Sequence, residues 1–200
     1  VDLNETIHMK DFVKLVDDES WKEFMPKDVT KDLFLQVLKY YDEDVVVGAG
    51  TRIRRLARAA DELPPTLRVM RIAEIFNRFR NPDKETVLTP WRVVNMHLSD
   101  MLGGYCFYDE TFNSNDGALE APRLVERDDI TDTIFSNTDV KILEMNSKSG
   151  LYPLYMAYSI YAMKLTGRED SLPLEETQKL WRDTVEKNIY VLCKTPMAQL

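Results

Sequence analysis

Histidine and cysteine are scarce in this chain, two of each, and that scarcity removes several chemistries at the outset. Cys106 and Cys193 lie far apart and belong to no CxxC or Cys/His cluster, so they are expected as reduced, buried thiols rather than as a disulfide framework. His8 and His97 each fall on an expected helix without a cysteine or second histidine at ligand spacing, and no metal site is assigned. The GxxxxGKS/T spacing of a P-loop is missing. No apolar run approaches the roughly 20 residues that span a bilayer. The N-terminus carries neither a basic stretch nor a small-residue cleavage site, so the expected location is the cytoplasm. Positive charge is also short. Lys and Arg number 26 against 34 Asp and Glu, a net charge of −8, which argues against simple coating of nucleic acid, because that affinity comes from cations neutralising phosphates.

What is present is enough for a folded protein, since 44% apolar and 30% charged residues in 200 can bury a real core. The cations are unevenly spread. Arg52, Arg54, Arg55, Arg58, Arg68, Arg71, Arg78 and Arg80 fall in one stretch while most acids lie elsewhere. Such a region can face a polyanion, with Arg52, Arg55 and Arg58 as DNA-contact candidates. The alternative is an arginine-rich helix surface paired with local carboxylates such as Asp61, Glu62 and Glu74.

The first eighty residues read as successive helices. Helical spacing of apolar residues predicts Glu5 to Val16, Asp28 to Tyr41, Asp42 to Leu63 and Pro65 to Phe79, the last two separated by Pro64-Pro65. After Asn81-Pro82-Asp83, Thr89 as N-cap and Pro90 in the first turn open another helix that Gly103-Gly104 ends. Tyr105 to Asp109 is a candidate strand, Glu110 to Leu124 a surface loop, and Asp129 to Phe135 a short helix. The strongest β-signal is Val140, Ile142 and Leu143, stopping at Glu144 before the polar turn Asn146-Ser147-Lys148-Ser149-Gly150. Helices over Leu151 to Leu165 and Leu174 to Lys187 follow. A second apolar run, Ile189 to Leu192, precedes a new helix start at Thr195-Pro196. Strand, helix, strand and helix start are the beginning of a parallel α/β sheet. With two strands, no initiator Met and an end inside an expected helix, the chain reads as a piece of a longer protein.

The residues that carry chemistry cluster at the first of those strands. An acid at a strand's carboxyl end, followed by a Ser/Gly turn into a helix, suits a nucleoside-containing cofactor. The turn admits a ligand close to the backbone, the helix start offers unpaired N–H groups, and the carboxylate accepts from a ribose hydroxyl or faces a cation. Glu144 to Gly150 fits this pattern, and a purely structural turn is the competing reading. Tyr152, Tyr155, Tyr158 and Tyr161 recur every three residues on the following helix, where packing is expected rather than base stacking.

Thr89-Pro90-Trp91-Arg92-Val93-Val94-Asn95-Met96 resembles the TPxxVVxxM segment of the amino-methyltransferases of restriction-modification systems. Ile142-Leu143-Glu144-Met145-Asn146-Ser147-Lys148-Ser149-Gly150 is similar to that family's first cofactor motif, ILDPACGSGGF. Order and spacing agree, and Asn81 to Thr86 and Gly150 to Tyr155 resemble a branch of large, type I-like restriction enzymes carrying an adenine methylase region. The match covers about Asn81 to Thr195.

The resemblance implies an α/β fold, mostly α by content. A helical N-terminal region over 1–80 would be followed, over 81–200, by the first, truncated part of a Rossmann-like class I methyltransferase sheet. It implies a parent enzyme transferring methyl from S-adenosylmethionine to adenine in double-stranded DNA, with other restriction-modification domains or subunits as partners. The cofactor contacts it implies are Thr89, Pro90, Glu144, Asn146, Ser147, Ser149 and Gly150, with Trp91 either bordering the adenine or simply buried.

Two residues depart from the family pattern: Lys148 stands where glycine is usual, crowding the turn or adding charge near the cofactor's carboxylate, and Leu151 replaces a second glycine. Where an acid for the ribose hydroxyls is common, the chain reads Leu192-Cys193-Lys194. The catalytic D/N/S-P-P-Y/F motif, which holds a flipped adenine, does not occur, and Leu63-Pro64-Pro65-Thr66 lacks its polar and aromatic members. This piece alone is therefore expected to be inactive. The competing expectation is a non-catalytic, methyltransferase-like module that grips DNA or another subunit.

Overall fold

In a computed structural model, which describes residues 6–78, 88–112, 118–168 and 172–199, polar side chains start the N-terminal helices one after another. α1 spans Met9–Leu15. Asp17 begins α2 (Asp18–Phe24) by accepting the Ser20 N–H at 2.8 Å. Thr30 begins α3 (Lys31–Val37) by accepting the Leu33 N–H at 3.1 Å, and Asp42 begins α4 (Glu43–Asp61) through the Asp44 N–H at 3.0 Å. Each cap satisfies a backbone donor that the helix leaves unpaired. α5 (Pro65–Asn77) starts with proline in its first turn.

Two expectations change in this region. α2 lies where no helix was expected, and the helix expected from Asp28 begins only after Thr30 and ends in a 3-10 turn over Leu38–Tyr40. α1, α2 and α3 enclose a small cluster of Val13, Val16, Trp21 and Phe34, with the Trp21 indole N–H donated to the Val29 carbonyl at 2.7 Å.

α6 (Trp91–Met101) leads into β1 (Gly104–Tyr108), which pairs antiparallel with β2 (Ala118–Val125). Pro90, not Thr89, occupies the N-cap, and no side chain caps this helix. β2 also corrects the loop expected over Glu110 to Leu124. Pro122 weakens the strand signal in sequence, yet a two-stranded ribbon has free edges on which proline's missing N–H costs nothing. At Gly104, φ is +91° and a Cβ would lie 2.7 Å from the Ser159 hydroxyl and 2.9 Å from the Phe135 ring, so only glycine fits this close approach.

α7 (Asp128–Thr131) runs on into a π turn over Asp132–Ser136. Then follow β3 (Ile142–Ser147), α8 (Leu151–Leu165), α9 (Leu174–Asn188), β4 (Ile189–Cys193) and α10 (Pro196–Gln199). β3 and β4 pair in parallel, Ile142 opposite Ile189 and Glu144 opposite Val191, with α8 and α9 as the crossover. The described residues are thus mostly helical, with two small two-stranded sheets.

α8 is the hub, because it is apolar all round and therefore buried on every side. Tyr155, Ile160 and Tyr161 are fully covered, and α8 packs against α5, α6, β1, β3 and β4. The three tyrosines from Tyr155 onward serve packing, as their spacing suggests. Tyr155 donates its hydroxyl to the Gly103 carbonyl at 2.7 Å, Tyr158 shares a 2.9 Å hydrogen bond with Thr66, and burial pushes the Tyr158 hydroxyl up to about 12. Trp91 is equally buried, between Phe107 and Tyr155, so it belongs to the core.

Buried Asn188 fixes the sheet to the crossover. Its amide donates to the Thr138 and Val140 carbonyls at 3.0 and 2.7 Å, and its oxygen accepts from Lys164 at 2.7 Å. On the sheet face away from α8, Leu143, Met145, Tyr190 and Leu192 are exposed.

Candidate functional site

β3 does not stop at Glu144. Pairing with β4 carries it three residues further, to Ser147 opposite Cys193, and the register shifts between Met145 and Ser147. Asn146 absorbs that bulge in the left-handed region at φ +67°, a conformation asparagine tolerates better than most residues. Alternation along the strand then turns Ile142 and Glu144 inward while Leu143 and Met145 face out.

Glu144 is the chemically unusual group here. The Ser147 side chain favours the charged form of Glu144, whose Oε2 is buried with no hydrogen-bond partner. Desolvation pushes the carboxyl above its ordinary value, and Ser147 offsets only part of that. A buried polar atom left unpaired costs about 1–3 kcal/mol, which a ligand hydroxyl or cation reaching it would recover.

The turn opens toward this strand end. Ser147 is buried, Lys148 and Ser149 are half-buried, and Gly150 sits at the N-cap of α8 in the left-handed region, φ +69°. Nothing lies within 4 Å of where a Gly150 Cβ would stand, and no side chain caps α8. The first-turn N–H groups of Leu151 and Tyr152 lack intrahelical acceptors, and Pro153 contributes none. A cavity of about 360 Å³ faces the turn, with Ser147 to Gly150 on one side and Val191 and Cys193 of β4 on another. Its remaining walls are Phe24 of α2, Phe76 of α5 and Ala198 of α10.

Lys148 does not reach into this cavity as a free charge. Its ammonium pairs with Glu23 of α2, whose other oxygen pairs with Lys194 at 2.5 Å. The Glu23 side chain is 14% exposed, and the two ammoniums hold its carboxyl below the usual range. Lys194 follows the end of β4, and the acid beside it is Glu23 of the helical layer. Sequence reasoning missed Glu23, Phe24 and Phe76. The one signal was Lys148 itself, since a lysine in a tight turn calls for a counter-charge.

The structure brings together Glu144, Asn146, Ser147, Ser149 and Gly150, and it does not join the other two expected contacts to them. Thr89 and Pro90 precede α6, which meets α8 through the Trp91–Tyr155 rings and the His97–Tyr152 pair. Among the described residues, no hydrogen bond or ring contact links Thr89 or Pro90 to the turn. Asn81 to Thr86, and Arg80, lie outside the described residues.

Arg52, Arg55 and Arg58 are exposed on α4, which packs on α5 and α1. Arg58 has an interaction partner of its own, as do other arginines of that stretch. Arg68 donates to the Ala60, Asp61 and Leu63 carbonyls at the end of α4, and Arg71 and Arg78 share Glu74.

A larger cleft, about 760 Å³, lies between α6 and the β1–β2 hairpin. Its cations are already engaged: Arg123 donates to the Tyr108 carbonyl, and Arg127 to the Ser99 carbonyl and Asp100. The turn after β3 is therefore the better candidate, because among the described residues it offers an unsatisfied carboxylate beside open helix N–H groups. No protein-family model, no curated protein and no solved structure matches this chain.

Proposed function

We propose that this chain is the S-adenosylmethionine-binding part of a DNA adenine-N6 methyltransferase of a restriction-modification system, built on the start of a Rossmann-like methyltransferase sheet. The observation that carries the reading is the buried, partnerless Oε2 of Glu144 beside the Ser147–Gly150 turn at the carboxyl end of the first parallel strand. Ligands of open α/β sheets bind outside the carboxyl ends of their strands. The order of the Thr89-Pro90 and Ile142–Gly150 segments supports the same reading.

The residues present fit the cofactor. Glu144 would accept from a ribose hydroxyl or face the cofactor's cationic groups, Ser147 would hold the carboxylate in place, and the α8 N–H groups would receive an anionic group. Gly150 leaves the helix start open, and Ser149 and Asn146 border it. When bound, S-adenosylmethionine supplies an electrophilic methyl group. No residue of these 200 is assigned the transfer step, since the motif that holds the flipped adenine does not occur among them.

Calorimetric titration of S-adenosylmethionine into the chain tests this, beside Glu144→Ala with folding checked by circular dichroism. Binding by the wild type that is lost in the folded variant supports the assignment. Equal binding by both removes Glu144 from the site, and no binding by the wild type removes the reading.

A second reading, a methyltransferase-like module gripping DNA or a subunit, is favoured by one observation. Arg52, Arg55 and Arg58 are exposed on α4 while Glu23 neutralises the lysines of the turn. Salt-sensitive DNA binding without cofactor binding would favour it.

A further inference from the structure

The cavity at the end of β3 and β4 has two unlike halves. The Ser147 to Gly150 side carries hydroxyl and backbone polar groups, whereas Phe24, Phe76 and Val191 make the other side apolar. A nucleoside has the same division, a flat aromatic ring joined to a hydroxyl-bearing sugar, and small-ligand sites combine apolar walls with a few placed polar groups in this way.

The aromatic walls come from outside the α/β unit. Phe24 is the last residue of α2, and its neighbour Glu23 is tied to Lys148 in the turn and to Lys194 after β4. One carboxylate thus bridges the carboxyl ends of both strands and fixes the end of α2 over them. α2 also rests on α10. With two ammoniums on one carboxylate in a position 14% exposed, the clasp is shielded from solvent more than a surface ion pair, so it constrains geometry.

We propose that the N-terminal helical layer is part of the nucleoside site, with Phe24 stacking on the purine ring of the ligand and the Glu23–Lys148–Lys194 clasp holding Phe24 in place. The proposal rests on the cofactor reading above and deepens it. Glu23 is a positioning residue, acting through Phe24 and the turn, and Phe24 is the contact. Base–aromatic stacking is strong enough that losing the ring weakens binding about tenfold or more.

The test titrates S-adenosylmethionine and adenosine, separately, into the full chain and its Phe24→Leu, Phe24→Trp and Glu23→Gln variants, with thermal melting followed by circular dichroism. Phe24→Leu is expected to weaken both ligands about tenfold with little change in melting. Phe24→Trp is expected to retain affinity, and its added indole fluorescence to be quenched as ligand saturates. Glu23→Gln is expected to weaken both ligands in parallel.

Wild-type affinity in Phe24→Leu, or binding to Phe24→Trp without quenching of the new indole, overturns the proposal and leaves the cofactor reading standing. Wild-type affinity in Glu23→Gln overturns the clasp. Failure of the wild type to bind either ligand overturns both readings together. Should Glu23→Gln not fold, the fluorescence of Phe24→Trp still decides the role of the aromatic wall.

Discussion

Asn95 of α6 accepts the Phe107 backbone N–H of β1 on its Oδ1 at 2.8 Å, while its Nδ2 donates to the Trp91 carbonyl at 2.9 Å. One fully buried amide thereby joins the helix of the Thr-Pro segment to the hairpin. Asn95→Leu leaves the Phe107 N–H buried without an acceptor, which costs about 1–3 kcal/mol. Urea unfolding at neutral pH should show that loss as a lower midpoint with an unchanged slope, and an unchanged midpoint would deny the bond its role.

Gly104→Ala should destabilise the fold by about 2 kcal/mol or more, because it adds strain at φ +91° to a collision with Ser159 and Phe135. Gly150→Ala meets no such neighbours, so it carries only the backbone term and should cost less. Comparing the two by thermal unfolding separates the close approach from the left-handed conformation.

Glu144 makes stability depend on pH in a definite direction. Burial raises its folded-state value above the unfolded one, so the folded chain holds the proton more tightly. Its contribution is most favourable below the unfolded value of about 4.3. That contribution is lost as pH rises through the raised folded value, and it is constant above that. Glu144→Gln removes the titration. The stability of the wild type relative to this variant should therefore fall as pH rises from 4 to 8, and a rise over that interval would contradict the desolvated carboxyl.

Among the arginines, structure separates two roles. Arg68→Met loses the cluster of carbonyl bonds that closes α4 and should cost about 1 kcal/mol or more of stability without altering affinity for DNA. If α4 meets DNA, replacing the exposed Arg52 and Arg55 by glutamine should leave melting unchanged. Each lost phosphate contact should lower the salt slope of binding by about 0.9. Fluorescence anisotropy of a labelled duplex over a range of salt measures this, and an identical slope would remove α4 from any DNA surface.

Continuous apolar segments were legible in advance. α8 matches its expected bounds, Leu151 to Leu165, because a largely apolar run of 15 residues is too long for a strand, and the β3 and β4 runs were visible as compact apolar stretches. α2 and β2 were not legible. α2 is only two turns long and β2 contains a proline, so local propensity was weak, and their placement rests on packing around Trp21 and pairing with β1.

The same division runs through the candidate site. The acid, the polar turn, the glycine and the helix after them are consecutive in the chain, and the preferences of those residues for strand, turn and helix start act over a few bonds. Sequence by itself determined that part. Tertiary structure alone decided that Glu144 keeps a buried oxygen without a partner, that Trp91 is core, and that Lys148 and Lys194 converge on Glu23 more than a hundred residues away. The physical reason is that burial and ion pairing depend on which surfaces meet. That meeting is fixed by the summed packing of α2, α5 and α10 over the ends of β3 and β4, not by the residues adjacent to any one of them.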